Sequence, residues 1–229
     1  MYLKDNLEDI KNNIQKTLER CGRSSEKINL IGVTKTIDVE TVKDSIDYGI
    51  KNIGENRVQE LEKKIDEIGT KVNYHMIGHL QTNKVRKIID KVSLVHSLER
   101  MSLAKELNKR AKMNDLVIDT LLQVNISEEE SKFGLRVSEV VPFIERILEF
   151  EHINIRGLMT IAPHTDDESI VRGVFRELYN LKEEIEKRNY KDINMDYLSM
   201  GMTNDYKIAI EEGSNMLRIG TGIYGKRNY

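Results

Sequence analysis

The sequence predicts a (β/α)8 barrel with one extra helix in front of it, and three observations carry that prediction. Short apolar, β-branched runs alternate with stretches of helical period about eight times. No composition shift, linker or low-complexity segment divides the 229 residues. The apolar runs end on polar residues or glycine, as strands do where a parallel barrel opens its functional face. Eight βα units fit slightly under the usual length of that fold, and an open doubly wound sheet is the second architecture that the alternation allows.

Each element has its own signal. Leu3, Leu7, Ile10, Ile14 and Leu18 stand three or four apart, so residues 1–22 form an amphipathic N-terminal helix packed on the barrel. Residues 28–36 are rich in Ile, Leu and Val and uncharged up to Lys35, a buried first strand. Asp38 can cap a helix bearing Val39, Val42, Ile46 and Tyr48, and Gly49 ends it. A short strand at 52–56 and a helix at 58–68 follow, then a strand-like run 72–80 closed by Gln81-Thr82-Asn83. A helix over 84–89, a strand over 93–97 and a helix over 98–113 come next. Residues 116–126 are an uninterrupted strand candidate that opens into the loop 127–134. The helix 138–150 should hold Pro142 in its first turn, where a missing N–H costs little. A strand at 153–161, the longest helix at 167–188, a strand at 195–200, a helix at 205–212 and a strand at 215–219 complete the set.

Composition bounds the function. With 39% hydrophobic and 32% charged residues, the chain is expected to build one domain over 1–229. A formal charge of −2 gives no electrostatic reason to expect nucleic acid or an acidic membrane surface. The lone Cys21 excludes an internal disulfide framework. The start Met1-Tyr2-Leu3-Lys4-Asp5-Asn6-Leu7-Glu8 lacks the apolar core of a signal peptide, so a cytoplasmic, soluble protein is expected. Heavily charged outer helices point to a monomer.

Lys35 ends the first strand, where a barrel places its chemistry. There desolvation would lower its pKa and make the amine able to form a Schiff base, although the position also suits a lysine that snorkels to solvent. In a closed barrel the first strand lies beside the eighth. Ser199-Met200-Gly201-Met202-Thr203-Asn204 and Gly220-Thr221-Gly222 follow strands seven and eight, and such small hydroxyl-bearing turns let backbone N–H groups reach a phosphate. They could equally do no more than turn the chain. Arg218 should point into the mouth, to hold a phosphate or face an uncharged ring nitrogen. Asn56, His79, Ser97, Asn125 and Thr160 end other strands and could line one cavity, whereas His75 and His96 read as ordinary strand histidines. No metal-ligand spacing, nucleophile elbow, Walker loop or dinucleotide fingerprint is present, so no metal is expected. Spacing alone leaves a Schiff-base aldolase using Lys35, or a phosphosugar isomerase with Glu55 as the acidic strand-end candidate.

Six stretches in matching order narrow the choice. Val33-Thr34-Lys35-Thr36, Ile53-Gly54-Glu55-Asn56-Arg57-Val58-Gln59-Glu60, His75-Met76-Ile77-Gly78-His79-Leu80-Gln81-Thr82-Asn83-Lys84, Arg156-Gly157-Leu158-Met159, Leu198-Ser199-Met200-Gly201-Met202 and Arg218-Ile219-Gly220-Thr221 together resemble the pyridoxal phosphate homeostasis proteins. That family is similar to the N-terminal barrel domain of alanine racemase, and the likeness spans nearly the whole chain.

The resemblance implies that Lys35 carries pyridoxal 5′-phosphate as an internal aldimine and that Arg218 faces the pyridine nitrogen, discouraging its protonation. It implies that Ser199, Gly220 and Thr221 cradle the phosphate, while Asn56, His79, Met159 and Met200 line the cofactor. Lys132, in Ser131-Lys132-Phe133-Gly134, matches a loop lysine regarded as a secondary vitamer-binding or transfer position in some members. Several relatives carry a second lysine two residues after the first; here that position is Ile37, against any scheme that needs both. Alanine racemases take one base, a tyrosine, from a C-terminal domain of the partner subunit, and this chain stops at Tyr229, soon after the eighth strand. The implied role is therefore a non-catalytic carrier or regulator of vitamin B6 that delivers the cofactor to apo-enzymes, the alternative being a weak racemase-type enzyme.

Overall fold

The computed structural model describes residues 2–129 and 132–225, so Ser131 of the loop motif and the chain end at Tyr229 lie outside the described residues. Helix α1 (Tyr2–Arg20) precedes β1 (Asn29–Val33), α2 (Val39–Asp47), β2 (Asn52–Glu55), α3 (Val58–Ile68) and β3 (Asn73–Met76). A 3-10 helix, Thr82–Lys87, leads to β4 (Leu94–Leu98), α4 (Met101–Met113), β5 (Ile118–Gln123) and α5 (Val137–Ile147). Then come β6 (Ile153–Met159), α6 (Glu168–Lys187), β7 (Ile193–Ser199), α7 (Tyr206–Glu211), β8 (Met216–Ile219) and α8 (Thr221–Tyr224).

The eight strands are parallel and close into a barrel in chain order, with β1 pairing β8 through Gly32↔Ile219 and Ile31↔Arg218. Side chains alternate across each strand, so one set faces the helices and the other the barrel axis. The outward set and the apolar stripes of the helices form one continuous core that includes Ile53, Leu61, Leu107, Ile144 and Phe175. Inside the barrel Ile31, Leu94, Leu121, Met159 and Met216 form a second, smaller cluster. Strand β7 runs close against β6 at Gly157, whose φ is +145° and where a Cβ would stand 1.9 Å from the Tyr197 carbonyl oxygen. A side chain there would part the strands, at a point where their register also shifts.

Helix α1 lays Leu7, Ile10, Ile14 and Leu18 against α7 and α8, where the Asn6 side-chain amide donates to the Ile223 carbonyl at 3.1 Å. Asp38 caps α2 as expected, accepting from the Thr41 N–H at 2.9 Å. Two expectations need correction. The stretch predicted as a helix at 84–89 is a 3-10 helix that starts earlier, at Thr82. Pro142 is not in a first turn: it is the sixth residue of α5. No described helix is long and apolar enough to cross a membrane.

Several strands, β1, β3, β5 and β6 among them, end earlier than the apolar runs that signal them, and this shapes the mouth. β1 stops at Val33, and the Thr34 N–H makes the last pairing contact, to the Gly54 carbonyl at 3.1 Å. The chain then turns through Thr36, whose φ is +64° and whose N–H donates to the Glu60 carboxylate at 2.8 Å. Lys35 thus stands on a tight turn rather than within the strand.

Candidate functional site

Lys35, Asn56, His79, Arg218, Gly220 and Thr221 line one cavity of about 920 Å3 at the C-terminal mouth of the barrel. The topology explains the meeting: β1 and β8 are neighbours, so the turns after them leave the barrel side by side. Lys35 is half-buried there and engaged by neighbouring groups.

Arg218 is almost wholly buried beneath the mouth. Its guanidinium donates to Ser199 Oγ at 2.5 Å and to the Thr160 carbonyl at 2.8 Å. Burial draws it down to about 10, against the field of Asp205, so it stays charged at neutral pH. Asp205 opens α7, where burial raises its carboxyl while it accepts from the Met202 N–H at 2.5 Å.

The turns after β7 and β8 lock together through hydroxyls. Thr203 Oγ1 lies 3.2 Å from Thr221 Oγ1 and accepts from the Gly222 N–H at 3.1 Å. Both threonines line the cavity. On the opposite side, His79 Nδ1 pairs with the Glu99 carboxylate at 2.9 Å, and its ring stacks on Phe133 with centroids 4.1 Å apart. Glu99 is also held by Arg100, so the imidazole plane is fixed from the side and from the edge.

Four expected site residues lie elsewhere. Ser199 is fully buried, and its hydroxyl serves Arg218 and His96 below the mouth. Met159 faces the barrel axis one layer down, packed in the inner cluster. Met200 belongs to the outer core between sheet and helices, because alternation turns it away from the axis when Ser199 points inward. Lys132 does not line the cavity; it pairs with Glu129 at 2.7 Å, beside the cavity-lining Phe133. Among the other strand ends, Ser97 donates to the Gly78 carbonyl, Asn125 to the Glu129 carbonyl and Thr160 to the Val124 carbonyl, so all three brace backbone instead of facing the cavity. Ile37 packs against the outer core.

Glu55 is no strand-end base either. It points outward to α3, where Thr34 Oγ1 donates to it at 2.5 Å and Lys64 forms a buried ion pair with it. Burial pushes its carboxyl up, against Lys64 and Thr34. Its second oxygen, Oε2, has no hydrogen-bond partner. Sequence reasoning passed over Thr203, Gln123 and Phe133 as site residues, although Thr203 stands in the very turn singled out for a phosphate. Among the described residues no cluster of His, Cys, Asp and Glu could hold a metal.

The alanine racemase N-terminal domain family matches residues 6–228. The pyridoxal phosphate homeostasis protein of Aquifex aeolicus is 42% identical over 217 residues, covering 94% of each chain. That of Pasteurella multocida is 35% identical over 232 residues, covering 100% of this chain and 99% of its own. Among solved structures, PipY of Synechococcus elongatus with PLP bound superposes with a TM-score of 0.82 at 27% identity, over 93% of this chain and 100% of that one.

Proposed function

The chain belongs to the family of pyridoxal phosphate homeostasis proteins, and on that premise we propose that it binds pyridoxal 5′-phosphate through Lys35 and takes part in vitamin B6 homeostasis, holding and delivering the cofactor without catalysis of its own. The observation that carries the reading is the meeting of three features around one cavity: a lysine amine, a buried guanidinium, and a pair of turns bearing hydroxyls and glycines. They match in kind the aldehyde, the ring nitrogen and the phosphate of that cofactor.

When bound, the cofactor supplies a reactive aldehyde on an electron-withdrawing ring. Lys35 offers the amine that holds the aldehyde as a Schiff base. Thr203, Thr221 and the backbone at Gly220 receive the phosphate, while Asn56 and His79 flank the ring, His79 being oriented by Glu99. Arg218, charged and unable to accept a proton, keeps the ring nitrogen unprotonated. A ring so held withdraws electrons weakly, which suits storage better than carbanion chemistry. Ser199 acts from beneath, as a brace for Arg218 rather than as a phosphate ligand.

Lys132 would offer an outer position for a second B6 vitamer, at the edge where Phe133 joins cavity and surface. Transfer by way of position 37 is outside this chain's chemistry, because Ile37 has no amine and packs into the core. We place the protein in the cytoplasm, as a monomer that meets apo-enzymes transiently.

The test is the absorption spectrum of the purified protein with added pyridoxal phosphate, before and after borohydride reduction, beside Lys35→Ala. A yellow band that reduction fixes onto Lys35, and that the variant lacks, is the expected result; no binding by either protein would refute it. Steady-state turnover of a panel of amino acids, lost in Lys35→Ala, would replace the carrier with a racemase-type enzyme.

A further inference from the structure

The interior of the barrel holds two histidines for which the cofactor site has no direct use. His96 is fully buried and His75 nearly so, on the neighbouring strands β4 and β3. His75 Nδ1 lies 3.0 Å from His96 Nε2, and the rings meet edge to face at 64°. His96 Nδ1 lies 3.1 Å from Ser199 Oγ. At the other end His75 Nε2 lies 3.4 Å from Asn52 Oδ1. Asn52 Oδ1 also accepts from the Asn73 side-chain amide at 3.0 Å, while Asn52 Nδ2 faces the Leu30 carbonyl at 3.5 Å.

Both ends of this series have a fixed polarity. A guanidinium only donates, so Ser199 Oγ accepts from Arg218 and spends its single hydrogen on its other partner, His96 Nδ1. A neutral imidazole that accepts at Nδ1 carries its proton on Nε2, so His96 donates to His75 Nδ1. His75 then carries its proton on Nε2 and donates to Asn52 Oδ1, an atom that can only accept. The reverse order would leave the buried serine hydrogen without an acceptor and set a lone pair of His75 against the amide oxygen, each a cost of about 1–3 kcal/mol. Burial, which draws His75 down to about 4 and His96 well below its usual range, keeps both rings in the neutral form that this order requires.

We infer that the barrel interior carries a one-way hydrogen-bond chain, Arg218 to Ser199 to His96 to His75 to Asn52, and that His96 and His75 are positioning residues which pin the guanidinium in the pose that faces the cofactor ring. Every dipole in the chain turns its negative end toward Arg218, so the series also stabilises the buried charge. The function assigned to the pose rests on the reading of the site as a pyridoxal phosphate site. The direction of the chain does not.

The test therefore has two arms. In the first, long-range 1H–15N correlation on the cofactor-free protein reads the histidine tautomers directly. Both His75 and His96 should show a protonated Nε2 and an unprotonated Nδ1, and Ser199→Ala should convert His96 to a tautomer mixture. A protonated Nδ1 on His96, or a ring doubly protonated at neutral pH, would overturn the chain. In the second arm, His96→Phe is loaded with pyridoxal phosphate and its absorption compared with that of the parent, folding being checked by circular dichroism. A shifted band and about tenfold weaker retention, the worth of roughly one charge-assisted hydrogen bond, are expected. An unchanged band and affinity would refute the positioning role. If neither protein binds the cofactor, the function assigned to the pose falls with the site reading, while the tautomers still decide the chain.

Discussion

The hydroxyls of Thr203 and Thr221 stand 3.2 Å apart, one in the turn after β7 and the other opening the short helix after β8. The two strands share the register pair Ser199↔Met216, the Arg218 N–H carries the contact on to the Gly201 carbonyl at 3.0 Å, and beyond it the hydroxyls and the Gly222 N–H to Thr203 join the turns at the mouth. A tetrahedral anion seated there would replace that contact with bonds to both.

Thr203→Ala and Thr221→Ala should each weaken pyridoxal phosphate binding by about tenfold, the scale of one hydrogen bond to a charged group. Pyridoxal, which lacks the phosphate, should bind either variant as well as the parent. Titration of both vitamers checks this, and equal losses for the two would move the phosphate elsewhere.

Arg218→Glu should favour protonation of the bound ring nitrogen, because a carboxylate stabilises the pyridinium that a guanidinium repels. The expected result is a shifted absorption band at equal occupancy, and an unchanged band would contradict it. The new carboxylate would also face the Thr160 carbonyl, so thermal stability must be followed in parallel.

Acid should destabilise the protein through the inner histidines. The folded pKa of His75 is depressed to about 4 from a usual value of 6.5, so between those values the unfolded chain binds protons that the folded chain refuses. Its contribution is complete above about pH 6.5 and falls away as the pH drops toward 4, by roughly 3 kcal/mol. Denaturant unfolding at pH 7 and pH 4 measures the loss, and His75→Asn should flatten the slope.

Lys64→Met should cost about 3–5 kcal/mol, because it leaves Glu55 buried without its cation. Adding Glu55→Gln should restore much of that stability, since an amide needs no counter-charge. Equilibrium unfolding of the single and double variants reads the coupling. Simple additivity would show that the pair is not a unit.

Legibility differed from residue to residue for physical reasons. Lys35, Arg218, Gly220 and Thr221 come together around one cavity because each stands at or beside the end of an apolar run, and a parallel barrel collects such ends at one mouth. Met200 packs in the outer core, because strand alternation turns its side chain away from the axis when Ser199 points inward. Ser199 and Met159 are buried within the barrel and do not line the cavity. Glu55, the acidic strand-end candidate of the isomerase alternative, pairs with Lys64 on the helix that covers the outside, a partner no local signal reveals.

The sequence alone determined the alternation of strand and helix, the N-terminal helix with its apolar stripe, and the polar ends from which the mouth is built. These are local properties, set by hydrophobic periods of 2 and 3.6 residues and by capping chemistry within a few residues. Only the tertiary structure decided which inward residues meet at which depth: that Thr203 meets Thr221, that Arg218 rests on Ser199, and that His96 lies against His75. Depth in a closed barrel depends on the stagger between all eight strands, and no single run of the chain encodes that stagger.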